Sequence, residues 1–176
     1  GVVLVAGLGV LRAGAQEVLQ ENVDTGVSGA IAPGSAERTG VQGFAGLGAA
    51  GNQFGDQFLR SPTGNTVTIT LTDLPPHTSL SVRFLFAAID SLDGTGSYPQ
   101  GDFLNVKLDG VSFFRESFAN ATASQIQSYV PPAGVQLARR VDLGFSGPGS
   151  FYTDSAYDLG ADPVFLNRPH TASSAV

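Results

Sequence analysis

The chain has 176 residues, 42% of them apolar, with 23 glycines, 10 prolines and no cysteine or tryptophan. That length and apolar content suit one packed domain and exclude general disorder, and the missing cysteine excludes disulfides and thiolate metal sites. A formal charge of −6, from 15 acidic and only 9 basic side chains, disfavours a protein that neutralises a nucleic-acid backbone.

Gly1 to Leu11 is apolar without interruption, too short a run to cross a bilayer as a helix. With Ala13-Gly14-Ala15 behind it, the segment 1–15 reads as the hydrophobic region and cleavage motif of an export signal. Arg12 falls where a neutral residue is usual. Other readings stay open: an apolar filament-core helix over Val2 to Leu19, an ordinary buried first strand, or a dinucleotide-binding turn at Gly7 and Gly9. The last is disfavoured, because Arg12 takes the third glycine position and no βαβ units follow.

The remaining chain, 16–176, is rich in Val, Leu, Ile, Phe and turn residues, a mixture that predicts short strands. Leu19 to Gly26 reads as a strand running into a turn. Gly40 to Gly55 reads as a loop, and the G-x-G-x-x-G string at Gly46, Gly48 and Gly51 has neither the preceding strand nor the following helix of a phosphate-binding turn. Apolar residues then alternate at Val67, Ile69 and Leu71, and again at Leu80, Val82, Phe84 and Phe86. This predicts strands over Thr66 to Thr72 and Ser81 to Ile89, each with one buried and one wet face. Between them Asp73-Leu-Pro75-Pro76-His77 breaks the ladder.

An acidic, glycine-bearing loop runs from Asp90 to Asp102. The strand Phe103 to Leu108 follows it, then a two-residue Asp109-Gly110 hairpin turn and a return strand over Val111 to Phe118. Phe113 and Phe114 are adjacent, so both can face inward only across a β-bulge. Gln125 to Val135 reads as a crossing connection, Gln136 to Phe145 as a strand, Tyr152 to Leu159 as a last strand-like segment and Pro169-His170 as a connector. Seven or eight strands and no amphipathic helix after residue 20 predict an all-β antiparallel sandwich, jelly-roll-like.

Several short strings, Leu74-Pro-Pro-His77, Ile89-Asp90-Ser-Leu-Asp93-Gly94, Gly101-Asp102-Phe103, Val106-Lys-Leu-Asp109-Gly110 and Asp154-Ser-Ala-Tyr157-Asp158, occur in an order and spacing that resemble bacterial extracellular jelly-roll domains of the kind found in PEP-CTERM-sorted exported proteins. The likeness covers roughly residues 43 to 176. Leu92 stands where that family usually carries tryptophan, and the chain stops short of the family's usual further strand. The resemblance implies an exported domain, extracellular or at the cell surface. It also implies a sandwich that lacks its last strand or takes one from a neighbour.

Asp90, Asp93 and Asp102 are the expected site for chemistry. Calcium takes about six to eight oxygens from carboxylates, carbonyls and water, and glycines at 94, 96 and 101 would let such a loop wrap an ion. The same aspartates also serve as ordinary turn caps. Tyr98 at the loop tip, with Asp102, is the expected ligand contact; Tyr129, Tyr152 and Tyr157 are the other tyrosines, and Asp154 with Asp158 is a weaker acidic pair. His77 and His170, each beside a proline, read as loop hydrogen bonders. Ser146 lacks the surroundings of a nucleophile elbow.

The expected function is a secreted, non-catalytic binding module, most plausibly carbohydrate-binding with a calcium-braced loop. The partner would be an extracellular glycan or surface polymer. A structural or adhesive subunit that self-associates through its sheet edges is the alternative. Neither nucleic acid nor a membrane span in the mature domain is expected.

Overall fold

The structure, a computed structural model, describes residues 16–95, 101–120, 126–139 and 154–171, and the backbone of residues 2–8. In chain order its strands are β1 Val2–Leu8, β2 Ile31–Ala32, β3 Glu37–Gly40, β4 Gly48–Ala49, β5 Asn52–Gln53, β6 Gln57–Pro62 and β7 Thr68–Ile69. They continue with β8 Ser79–Leu80, β9 Phe84–Ile89, β10 Phe103–Leu108, β11 Val111–Ser117, β12 Gln136–Ala138, β13 Ser155–Asp158 and β14 Arg168–Pro169. The helical structure among the described residues is two 3₁₀ turns, Leu159–Ala161 and Pro163–Phe165. None of its helices is long and apolar enough to cross a membrane. The fold is all-β and sandwich-like.

One antiparallel six-stranded sheet, in the order β12-β13-β9-β1-β6-β3, carries the rest. The segment read as an export signal or apolar helix contributes its central strand: Val2–Leu8 pairs with β6 on one side and β9 on the other. Its backbone is that of an ordinary first strand. At the β3 edge, Glu37 and Arg38 are exposed, and such charges discourage edge-to-edge pairing.

The alternation in β9 is real, but both of its faces are dry. Phe84, Phe86 and Ala88 enter one core with Leu92, Phe114, Phe118, Tyr129, Tyr157 and Phe165. Leu85, Ala87 and Ile89 enter a second core with Val41, Phe44, Phe54, Phe58 and Ala156. The wet face expected from period two is covered by the 41–58 segment, whose β4–β5 hairpin sits between Phe44 and Phe54. The glycine string at 46–51 therefore shapes a small hairpin. With both layers in place, all six residues of β9 are buried, and each large side chain contributes about 1.5–3 kcal/mol of hydrophobic stabilisation.

The β10–β11 hairpin follows its sequence closely. Asp109 and Gly110 take φ of 50° and 78°, the left-handed pair that a two-residue turn between twisted strands requires. Val106 pairs with Phe114 but Lys107 pairs with Ser112, so Phe113 is the extra residue of a bulge. Phe114 enters the first core and Phe113 packs against it, their rings 4.9 and 5.5 Å from that of Phe165.

Three expected strands are shorter or absent. Thr66 to Thr72 keeps its alternation of exposure but pairs only at β7, because its partner β2 is two residues long and lies between a turn at 28–30 and Pro33-Gly34. The 19–26 segment shows only a single bridge position, at Glu21; the Glu21 side chain accepts hydrogen bonds from the amides of Val23 and Ser28 at 2.9 and 2.7 Å, and such local bonds compete with strand pairing. The Gln136 strand is observed over three residues; its expected continuation lies outside the described residues.

Candidate functional site

The acidic loop begins where β9 ends. Asp90 turns the chain out of the sheet with φ of 62°, and its side chain, 9% exposed, meets the Arg60 guanidinium at 2.6 Å. Asp93 and Asp102 are tied to each other through the backbone. The Asp93 amide donates to Asp102 Oδ2 at 2.7 Å, and the Asp102 amide donates to the Asp93 carbonyl at 2.6 Å. Gly94 lies so close to the 126 backbone that a Cβ would sit 2.0 Å from the Ile126 carbonyl oxygen, which requires glycine there. Asn120 sits behind this loop, buried, accepting from the Leu92 amide at 2.7 Å and donating to Asp154 Oδ1 at 2.9 Å.

Of the three carboxylates expected to hold calcium, Asp90 pairs with Arg60 through Oδ2 while its buried Oδ1 makes no hydrogen bond among the described residues, and Asp102 caps the Asp93 amide. Among the described residues, no three His, Asp or Glu side chains gather closely enough to hold a metal ion. Tyr98, the expected ligand contact, lies outside the described residues, as does Tyr152. Tyr129 and Tyr157 are core residues. The Tyr129 hydroxyl donates to Asp162 Oδ2 at 2.7 Å, and burial together with that carboxylate raises its pKa far above the usual phenol value. Asp158 accepts from Asn52 Nδ2 at 3.3 Å.

At the other end of the hairpin the structure brings together residues that the sequence left apart. Pairing of β8 with β14 and the His170 amide bond to the Thr78 carbonyl set the two proline connectors side by side. His77 Nδ1 donates to the Pro75 carbonyl at 2.6 Å, and His77 Nε2 lies 2.6 Å from His170 Nδ1. His170 Nε2 lies 3.1 Å from Asp109 Oδ2 at the hairpin turn. The ring planes differ by 7° with centroids 4.8 Å apart. A 2.6 Å nitrogen contact plus two ring radii accounts for that separation, so the imidazoles lie edge to edge in one plane rather than stacked by their faces.

This chain forms one wall of an open pocket of about 480 Å³. Leu108, Val111 and Phe113 supply an apolar wall, and Asp109, Arg168 and His170 supply polar groups. Val111 is 71% exposed, while the His170 side chain is 2% exposed. Arg168 lies over the Phe113 ring, its guanidinium carbon 4.7 Å from the centroid. Sequence reasoning named the two histidines as loop hydrogen bonders but missed their pairing. The available signal was that each follows a proline in a connector, and that Asp109 must project from a tight turn.

The chain matches no family model, no curated protein and no solved structure.

Proposed function

We propose that the protein is a non-catalytic binding module, exported to the extracellular space or cell surface, and that it takes a carbohydrate ligand in the pocket beside the Asp109-Gly110 turn. One observation carries the reading: apolar Leu108, Val111 and Phe113 line the same open pocket of about 480 Å³ as the polar groups of Asp109, Arg168 and His170. That volume lies within the range of small-ligand sites, and an open pocket with both apolar and polar lining suits a sugar, which offers a C–H face and a rim of hydroxyls. The resemblance to exported jelly-roll domains supports the same class. The candidate ligand site thereby moves from Tyr98 and Asp102 to the opposite end of β10, and calcium bracing is not part of the proposal, since no three acidic or histidine side chains gather there among the described residues.

Binding is favoured over catalysis by the state of His170. Both of its ring nitrogens are engaged, by His77 and by Asp109, so neither is placed to take a proton from a bound substrate. A glycan array followed by calorimetry on the hits tests the proposal. Binding that is lost in Val111→Asp, a change at an exposed rim position, supports it. An array without hits removes the carbohydrate reading.

A further inference from the structure

The pocket has a sign, and Arg168 sets it. β14 places the guanidinium over the Phe113 ring, its central carbon 4.7 Å from the centroid, a favourable cation–π placement. Among the described residues it makes no hydrogen bond or ion pair, so its planar fork of donors lines the pocket unengaged. The one carboxylate lining the pocket among the described residues, Asp109, already faces His170.

The histidine chain adds a second charge through its protons. It has acceptors at both ends, the Pro75 carbonyl and the Asp109 carboxylate, and three contacts between them. A hydrogen bond at each contact takes three protons, whereas two neutral imidazoles bring only two. With the third proton present, His77, His170 and Asp109 are together formally neutral, and the pocket keeps the single positive charge of Arg168. Without it, the trio carries a negative charge that cancels Arg168, and one of the three contacts becomes a meeting of lone pairs.

We infer that the pocket selects an acidic sugar, one carrying a carboxylate or sulfate group that seats on Arg168, and that it binds that group more tightly when the His77–His170 pair holds its extra proton. The inference rests on the carbohydrate reading above and narrows it. Planar guanidinium forks recognise carboxylate and sulfate oxygens by paired, charge-assisted bonds. The sign of the effect follows from the proton count: an anion stabilises the more positive pocket, so it binds more tightly to the form that holds the third proton. Among the described residues, the charged groups that line the pocket beside His170 are Asp109 from the hairpin turn and Arg168 from β14.

Matched ligands test this with the whole chain. Oligogalacturonate is titrated against its methyl ester, and a sulfated galactan against the unsulfated polymer, at about pH 8 and about pH 5.5, the range over which histidine changes charge. The acidic member of each pair is expected to bind at least about tenfold more tightly, the equivalent of one charge-assisted hydrogen bond. Arg168→Gln should erase that preference, with thermal melting checking that the fold is retained and Arg168→Lys restoring part of it. His77→Gln should keep the preference for acid sugars but flatten the pH dependence.

Equal binding of neutral and acidic partners overturns the inference while leaving the carbohydrate reading in place. Acid-sugar binding with no change between the two pH values overturns the proton link. Should no glycan bind while inorganic sulfate shifts the Arg168 side-chain NMR signal, the carbohydrate reading fails, and the acidic-sugar assignment fails with it.

Discussion

At its open end the β10–β11 hairpin meets Asp90, Asp93 and Asp102; at its closed end the turn residue Asp109 meets His77, His170 and Arg168. Both ends are rich in charge, but the charges are used differently. At the open end they brace the loop: Arg60 answers Asp90, and Asp102 bonds the Asp93 backbone through its carboxylate and its amide. At the closed end the groups line a pocket, the guanidinium is unengaged among the described residues, and the hydrogen-bond chain needs one proton more than its neutral members carry. A dense run of acidic residues in a sequence can therefore serve the scaffold, while residues from distant stretches of the chain, Asp109, Arg168 and His170, line the pocket.

The largest expected effect is at the open end. Arg60→Met leaves Asp90 buried without its partner, and should cost about 3 kcal/mol in urea denaturation, the low end for a broken buried pair because Arg60 is one-third exposed. A loss below about 1 kcal/mol, the worth of a surface pair, would show that the open end is not held by that ion pair.

Tyr129 calibrates the scale, since its bond to Asp162 is a buried carboxylate contact belonging to neither end. Tyr129→Phe should cost about 2 kcal/mol, the loss of one hydrogen bond to a charged acceptor. Because the folded phenol is raised above its unfolded value, the folded state keeps its proton where the unfolded state loses it. Stability should thus fall as pH rises beyond about 10, the ordinary tyrosine value. Tyr129→Phe should reduce that alkaline loss, and an unchanged alkaline profile would argue against the buried phenol as its source.

Smaller effects separate the two ends. His77→Gln removes bonds to Pro75 and His170 in a half-buried connector and should cost about 1 kcal/mol by thermal melting. A much larger cost would make the histidine chain a structural clasp, closer in character to the open end. The smallest effect expected is that of calcium: melting curves in calcium and in EDTA should coincide, since Asp90 is paired with Arg60 and Asp102 caps the Asp93 amide. A rise in melting temperature on adding calcium would place an ion in the loop and erase the contrast between the ends.

The hairpin itself was legible because its rules are local. Asp109-Gly110 demands a left-handed turn, and adjacent Phe113 and Phe114 demand a bulge; both are present. Period two also marked Phe84 and Phe86 as core. What could not be read was whatever depends on distant cover. The second dry face of β9 exists because residues 41–58 fold over it, and the place of Val2–Leu8 between β6 and β9 depends on ladders to residues far along the chain. The pocket belongs to the same class: His77 and His170 are 93 positions apart, and nothing in either neighbourhood states that the two connectors will align.

The enclosure of β9 has a consequence for how the molecule opens. Its two edges are occupied by β1 and β13, and its two faces by separate cores. Amides at Leu85 to Ala88 can reach water only when several layers part together, so their hydrogen exchange should track global unfolding. The amides of Gly110 and Val111 at the hairpin turn, on the pocket rim, should exchange through local opening. One exchange experiment then reports two free energies, and an acidic sugar that bound the pocket would slow the second set before it changed the first.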